Sequence, residues 1–261
     1  MSPSLPPDIS ITVRNAEDGH EAQWHIAEEV PVAIVYNGTN YAVMLATPHD
    51  LEDFTVGFSI SERVVDRVQA IQTIETRERP QGIELLITID SASAERMSVR
   101  ERRRNMAGRA GCGICGLDNA EELFEPLPEV APILTALDPG TARKAVEAFP
   151  ASQSLNLQTR SVHGAAWVDF SGNILAVRED IGRHNALDKL LGAQARARAD
   201  MKAGFALVSS RCSYELVEKA ARFGVTALLS LSAPTAFAVR KAREANLALY
   251  TWSADGLIAI E

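Results

Sequence analysis

The sequence has few cysteines, three in 261 residues, and their number and placement exclude a disulfide framework. An odd count, with Cys112 and Cys115 in one short segment, is unlike the paired cysteines of small secreted proteins. Residues 1–7 lack the charged and apolar regions of a signal peptide, and we expect them to form a loose arm. Because free thiols persist in a reducing compartment, the sequence predicts a cytoplasmic protein.

A long apolar run and an excess of positive charge are also missing. No run approaches the ~20 apolar residues that cross a bilayer, so no membrane span is expected. The chain has 26 Lys and Arg against 34 Asp and Glu, a formal net charge of −8. Nucleic acid is therefore excluded as the main partner, because neutralising phosphates requires a basic surface. The hydrophobic content of 46% is ordinary for a globular protein that buries a full core.

The most distinctive segment is residues 109–116, with the sequence RAGCGICG. Glycine lies on both sides of Cys112 and directly after Cys115, which leaves both thiols with little steric cover. The arginine-rich residues 100–104 precede this segment, and positive charge near a thiol lowers its pKa. The motif by itself is equally compatible with two reactive thiols and with half of a structural zinc site.

The amino-terminal half is predicted to be rich in β-structure. We expect strands at residues 9–13, 32–36, 41–45, 71–77 and 83–90, and helices at residues 48–63 and 93–104. The dipeptide Asn37–Gly38 between two of these strands predicts a hairpin. Residues 121–124 and 140–149 are predicted as further helical segments, separated by a proline-rich connection.

The carboxyl-terminal half alternates strands with short helices. We expect strands at residues 165–170, 173–177, 205–209, 225–230 and 247–252, and helices at residues 184–192, 213–223 and 234–245. This alternation predicts βαβ crossovers, and so an α/β protein with a mixed sheet and a smaller β-rich amino-terminal part. We place a boundary between residues 125 and 155 and divide the chain into 1–125 and 126–261, which need not fold independently.

Polar residues gather in three strand-to-helix turns, at residues 178–185, 209–213 and 230–235. Ligands of α/β sheets bind at the carboxyl ends of strands, where helix N-termini point free N–H groups. Arg183 and Arg211 suit phosphates, which guanidinium groups bind in a bidentate manner, and His163 joins from the start of a strand. The first turn predicts a binding site, formed by Asp180, Gly182, Arg183, His184 and Asn185. Ser213 and Ser232 are better explained as helix caps.

A zinc deaminase also combines an α/β sheet with a CxxC half-site for metal. The H-x-E motif of that class is missing, because no histidine is followed two residues later by glutamate. Gly111 precedes Cys112, where the deaminases have proline. One CxxC pair supplies two zinc ligands, and only Cys212 and scattered histidines remain for the other two. We therefore expect no permanently bound metal.

Three motifs, in this order, connect the sequence to a known family: GCGICG at 111–116, EDIGRHNALDK at 179–189 and SAPT at 232–235. Together they resemble the formate dehydrogenase accessory sulfur carriers, the FdhD family. The resemblance implies a cytidine deaminase-like α/β fold and a cytoplasmic homodimer. It also implies that the chain accepts sulfur from a cysteine desulfurase as a persulfide. That sulfur would pass to the molybdenum–bis(molybdopterin guanine dinucleotide) cofactor, Mo-bis-MGD, before the cofactor enters formate dehydrogenase.

The same resemblance assigns roles to individual residues. Cys112 is expected to carry the persulfide, and Cys115 to assist as a relay or resolving thiol. The last predicted strand leads into a segment that the family links to cofactor binding, although the basic residues usual there are absent from Trp252, Ser253, Ala254, Asp255, Gly256 and Leu257. Two alternatives remain open, a cofactor chaperone that transfers no sulfur and a zinc-binding, deaminase-like hydrolase.

Overall fold

The computed structural model describes residues 5–98, 125–133 and 136–261. Its strands are β1 (Asp8–Arg14), β2 (Glu21–Ala27), β3 (Val30–Tyr36), β4 (Thr39–Ala46), β5 (Ile71–Arg79), β6 (Gly82–Ile89), β7 (His163–Asp169), β8 (Ile174–Asp180), β9 (Gly204–Arg211), β10 (Ala227–Ser232), β11 (Ala248–Ser253) and β12 (Gly256–Ile260). Its helices are α1 (Leu51–Ser61), α2 (residues 91–98), α3 (Pro139–Ser152), α4 (Ser154–Thr159), α5 (Arg183–Arg196), α6 (Tyr214–Arg222) and α7 (Ala236–Glu244). A single 3₁₀ turn, Val68–Ala70, precedes β5.

The amino-terminal part contains a four-stranded sheet in the order β4-β3-β6-β5 and a separate two-stranded ribbon, β1-β2. Asn37 and Gly38 join β3 to β4 with φ angles of 47° and 82°. Two successive positive φ angles give the tight hairpin that the Asn–Gly pair predicts. Along β3, Val32, Ile34 and Tyr36 are all buried, and they pack with α1 into one apolar core.

The carboxyl-terminal part is a six-stranded sheet in the order β12-β11-β10-β9-β7-β8. The strands β9, β10 and β11 are parallel, while β7, β8 and β12 are antiparallel to their neighbours. Alternate residues of β9 enter two different cores: Phe205 packs in the core that includes α3, and Ala206 in the core that includes α5, α6 and α7. This architecture confirms the predicted α/β class with a mixed sheet. The likeness to cytidine deaminases stays a prediction.

Helices α1 and α5 join the two parts through an unusually close approach. A Cβ atom on Gly57 would lie 1.9 Å from the carbonyl oxygen of Asp188, and one on Gly192 would lie 1.9 Å from that of Asp53. Only glycine permits backbones to come so near. The division into residues 1–125 and 126–261 therefore stays a prediction, with its two sides in tight contact through these helices.

Several elements differ from the sequence-based expectations, among them the strand β2 and the helix α4, which were not expected. Helix α5 continues to Arg196, four residues past Gly192, because that glycine serves the contact with α1 rather than a helix end. The strand expected at residues 225–230 lies at Ala227–Ser232, and the strand β12 was not expected. No helix among the described residues is long and apolar enough to cross a membrane.

Candidate functional site

The strand register brings the predicted polar turns to one edge of the six-stranded sheet. His163 at the start of β7 pairs with Asp180 at the end of β8. Arg211 at the end of β9 pairs with Ser232 at the end of β10. The strand β11 runs parallel to β10, so Ser253 ends it at the same edge. The geometry therefore assembles the turns where ligands of such sheets bind.

Asp180 is fully buried, and both of its carboxylate oxygens have partners within the protein. Oδ2 lies 2.7 Å from Lys189 Nζ and accepts hydrogen bonds from the Thr47 amide and hydroxyl, each at 3.0 Å. Oδ1 accepts from the Gly182 amide at 2.8 Å and from the Asn185 side chain at 3.0 Å. This carboxylate therefore shapes the turn, and a direct role of Asp180 in binding a ligand stays a prediction.

Asn185 and Gly182 also have structural tasks. The Asn185 amide group is buried and donates a second hydrogen bond, of 2.8 Å, to the carbonyl oxygen of Leu45 in β4. A Cβ on Gly182 would approach the Asn185 amide nitrogen to 3.1 Å, so a larger residue would crowd the turn. Of the five residues predicted in this turn, Arg183 and His184 are left half-buried with side chains at the edge of the sheet.

Lys189 is as deeply buried as Asp180, with none of its side chain exposed. Besides Asp180 it donates to the Thr47 hydroxyl at 2.7 Å and to the Thr47 carbonyl at 3.1 Å. Burial lowers the pKa of Lys189, and the Asp180 carboxylate opposes this effect by favouring the ammonium form. Thr47 lies between β4 and α1, so this cluster ties the amino-terminal part to the predicted site.

His184 and Glu215 face one another across the first turns of α5 and α6. His184 Nε2 lies 2.8 Å from Glu215 Oε2, close enough for an ion pair when the imidazole is protonated. Burial alone raises the pKa of Glu215, yet His184, Lys219 and Arg183 outweigh it and hold this pKa below its usual range. Glu215 is thus an ionised carboxylate at neutral pH within the candidate site.

His163 borders the same group of charges. Its pKa is lowered, first by burial and then by the positive charges of Arg183 and His184. Its Nδ1 lies 3.4 Å from the hydroxyl of Ser209, and that hydroxyl accepts a hydrogen bond from the Gly164 amide. The described edge therefore holds a neutral imidazole, an imidazole paired with a carboxylate, and an arginine.

The N-termini of α5 and α6 have no side-chain cap, whereas α7 is capped by the Thr235 hydroxyl, which accepts from the Ala238 amide. The expectation that Ser213 caps its helix is wrong, because Ser213 makes no such hydrogen bond. Its hydroxyl oxygen and Arg183 Nε are buried atoms without a hydrogen-bond partner. Two uncapped N-termini and two unpaired polar atoms fit an anionic group better than they fit a closed structural turn.

The three cysteines fall in two classes. Cys212 is fully buried, and burial raises the pKa of its thiol to about 12, so it is an inert part of the core. Cys112 and Cys115 lie outside the described residues. Within residues 5–98, 125–133 and 136–261, no group of three or more His, Cys, Asp or Glu side chains is placed to hold a metal ion.

The segment 252–257 forms the tight turn between β11 and β12. Trp252 pairs with Leu257, and Gly256 adopts a φ angle of 94° that permits the reversal. The Ser253 hydroxyl accepts from the Asp255 amide, while the Arg143 guanidinium lies 5.3 Å from the centre of the Trp252 ring. Ala254 and Asp255 are exposed.

Sequence reasoning missed Thr47 and Glu215. Thr47 is 133 residues from Asp180 along the chain, and nothing in its local sequence indicates the contact. Glu215 follows two residues after the polar turn 209–213, so an acidic residue in the first turn of the next helix was the available signal.

Comparisons with known proteins agree on one family. A model of the FdhD/NarQ family matches residues 27–256. A relative from Xanthomonas euvesicatoria, named Sulfur carrier protein FdhD, is 45% identical over 252 residues, covering 96% of this chain and 89% of its own. A protein of that name from Bordetella petrii is 46% identical over 239 residues, covering 89% and 84%. A crystal structure of a proposed formate dehydrogenase accessory protein from Desulfotalea psychrophila matches the fold with a TM-score of 0.74 at 23% identity, covering 98% of this chain and 97% of its own.

Proposed function

The chain belongs to the FdhD/NarQ family, and from that premise we propose that it is a sulfur carrier in the maturation of formate dehydrogenase. The observation that carries this proposal is the near full-length likeness to proteins named Sulfur carrier protein FdhD, at 45% identity over 96% of the chain. A segment with two glycine-flanked thiols supplies the chemistry that such a role requires.

Sulfur loading uses Cys112. Its thiolate attacks the outer sulfur of a persulfide on a cysteine desulfurase, a new S–S bond forms, and the desulfurase thiolate leaves. The glycines on both sides of Cys112 give the incoming persulfide access, and the arginines at 100–104 favour the thiolate. Cys115 assists as a relay or resolving thiol.

The cargo site for Mo-bis-MGD is the described edge of the six-stranded sheet. Arg183, Arg211 and the uncapped N-termini of α5 and α6 bind the phosphates of the cofactor. Two buried polar atoms at these N-termini lack hydrogen-bond partners within the protein. The half-buried Trp252 at the end of β11 supplies the aromatic ring on which a guanine base stacks. The side chains of Asp180 and Asn185 and the glycine at 182 keep the turn in shape. On this proposal only the backbone of the turn at these three residues contacts the cofactor.

Labelled sulfur tests the role directly. The wild-type protein is incubated with a cysteine desulfurase and labelled cysteine, then with Mo-bis-MGD and apo-formate dehydrogenase. Cys112→Ala should neither take up label nor activate the dehydrogenase, whereas Cys212→Ala, which removes the buried thiol, should do both. Activation that survives loss of both Cys112 and Cys115 would instead identify a cofactor chaperone that transfers no sulfur.

The partners follow from the same role. A cysteine desulfurase donates the sulfur, formate dehydrogenase receives the cofactor, and two copies of this chain act as a homodimer. Sedimentation of the purified chain at micromolar concentration should give the mass of a dimer, and a monomer there would remove the homodimer from this proposal.

A further inference from the structure

Glu215 has no part in the role proposed above, yet its carboxylate contacts His184, a residue of the predicted binding turn. It lies in the first turn of α6, and its carboxylate comes within 2.8 Å of the His184 imidazole in the first turn of α5. Both side chains are about two-thirds buried, with 31% and 29% exposed. A carboxylate beside an anion-binding site repels the anion and weakens its binding, unless the carboxylate also orders a residue that binds the anion.

The groups around the His184–Glu215 pair indicate which residue Glu215 orders. The charged groups near the pair are Arg183 on α5 and Lys219 on α6, and the titratable imidazole of His163 on β7 also lies nearby. Lys219 is already held by both carboxylate oxygens of Asp188, at 2.7 and 3.0 Å. Glu215 is therefore available to His184, whose imidazole lies 2.8 Å from its carboxylate. An imidazole immobilised before the ligand arrives loses less conformational freedom on binding.

We propose that Glu215 is a positioning residue of the cargo site, which acts through His184. It holds the imidazole between the uncapped N-termini of α5 and α6, next to Arg183, so that the anionic part of a guanine nucleotide meets prearranged donors. This role rests on the proposed cargo site, and it adds Glu215 as the residue that orders the His184 imidazole within that site.

The test is a double-mutant cycle on the full chain, with GDP as the probe and isothermal titration calorimetry at neutral pH. Glu215→Gln should weaken GDP binding about tenfold, as expected for loss of a charge-assisted contact. His184→Ala should weaken it at least as much, and the double variant should bind no more weakly than His184→Ala alone. Glu215→Asp, which retains the carboxylate, should recover part of the loss.

The matched control is Glu129→Gln, the same charge change at an exposed residue next to Val130, whose amide contacts Ala245 at the opposite edge of the sheet. It should leave GDP affinity unchanged.

Additive losses in the double variant, or an unchanged affinity in Glu215→Gln, would overturn the inference while the cargo site stands. Failure of the wild-type protein to bind GDP would overturn the cargo site itself. Should Glu215→Gln fail to fold, Glu215→Asp enters the cycle under the same criterion of non-additivity.

Discussion

Replacement of Lys189 by methionine tests whether the buried cluster around Asp180 holds the two parts of the chain together. Lys189 and Asp180 are both fully buried, 2.7 Å apart. Removing one partner of such a pair leaves an uncompensated buried charge, which typically costs about 3–5 kcal/mol. Four hydrogen bonds to Asp180 remain in Lys189→Met, from Thr47, Gly182 and Asn185, so we expect a loss near 3 kcal/mol, roughly the lower end of that range.

Equilibrium urea unfolding measures this loss as a change in the free energy of unfolding. Arg14→Met is the control, because Arg14 and Glu21 form an exposed pair with 72% and 58% of their side chains accessible. It should cost at most about 1 kcal/mol. Adding Asp180→Asn to Lys189→Met should restore part of the loss, since the amide no longer carries a buried charge. A cost below about 1 kcal/mol for Lys189→Met would refute the reasoning.

Three further predictions concern the site and its support. Free GDP or GTP should bind weakly and ATP more weakly, and Arg183→Ala combined with Arg211→Ala should abolish binding yet leave sulfur loading intact; equal affinity of this variant in calorimetry would place the pocket elsewhere. Gly192→Ala should destabilise the protein by about 1–3 kcal/mol or more, because its Cβ would lie 1.9 Å from the Asp53 carbonyl oxygen, and unchanged thermal unfolding would contradict that contact. Because the pKa of His163 is lowered in the folded protein, its contribution to stability is present above the unfolded pKa of about 6.5 and is lost as pH falls through the folded pKa. The melting temperature of His163→Gln should therefore fall less from pH 7 to pH 5 than that of the wild-type protein. Equal falls in the two proteins would contradict this prediction.

Local patterns predicted much of the fold. The alternation of strands and helices after residue 160 gave the parallel strands β9, β10 and β11, and Asn37–Gly38 gave a hairpin with two positive φ angles. The same local logic misread Gly192 as a helix end. Its task is to admit the backbone of α1, and the residues it meets are about 140 positions earlier in the chain.

The candidate site, like the fold, could be predicted only in part from local sequence. The strand ends could be predicted because parallel strands place their carboxyl ends at one edge, and the register does so for Arg211, Ser232 and Ser253. The density of polar residues in the turn 178–185 did not reveal which of them face inward. Asp180 and Asn185 are buried because Leu45 of the distant strand β4 and Thr47, which follows that strand, cover and bind them. Pairings of that kind depend on how α1 packs on α5, which no local pattern contains.

Mass spectrometry of the protein after incubation with a cysteine desulfurase and cysteine tests the central claim most directly. The protein is digested without reductant, and the peptides that contain Cys112 and Cys212 are compared. We expect one added sulfur atom on Cys112 and none on Cys212, because burial raises the pKa of the Cys212 thiol to about 12. Added sulfur that is absent from Cys112, or that persists on the chain after Cys112→Ala, would contradict the account.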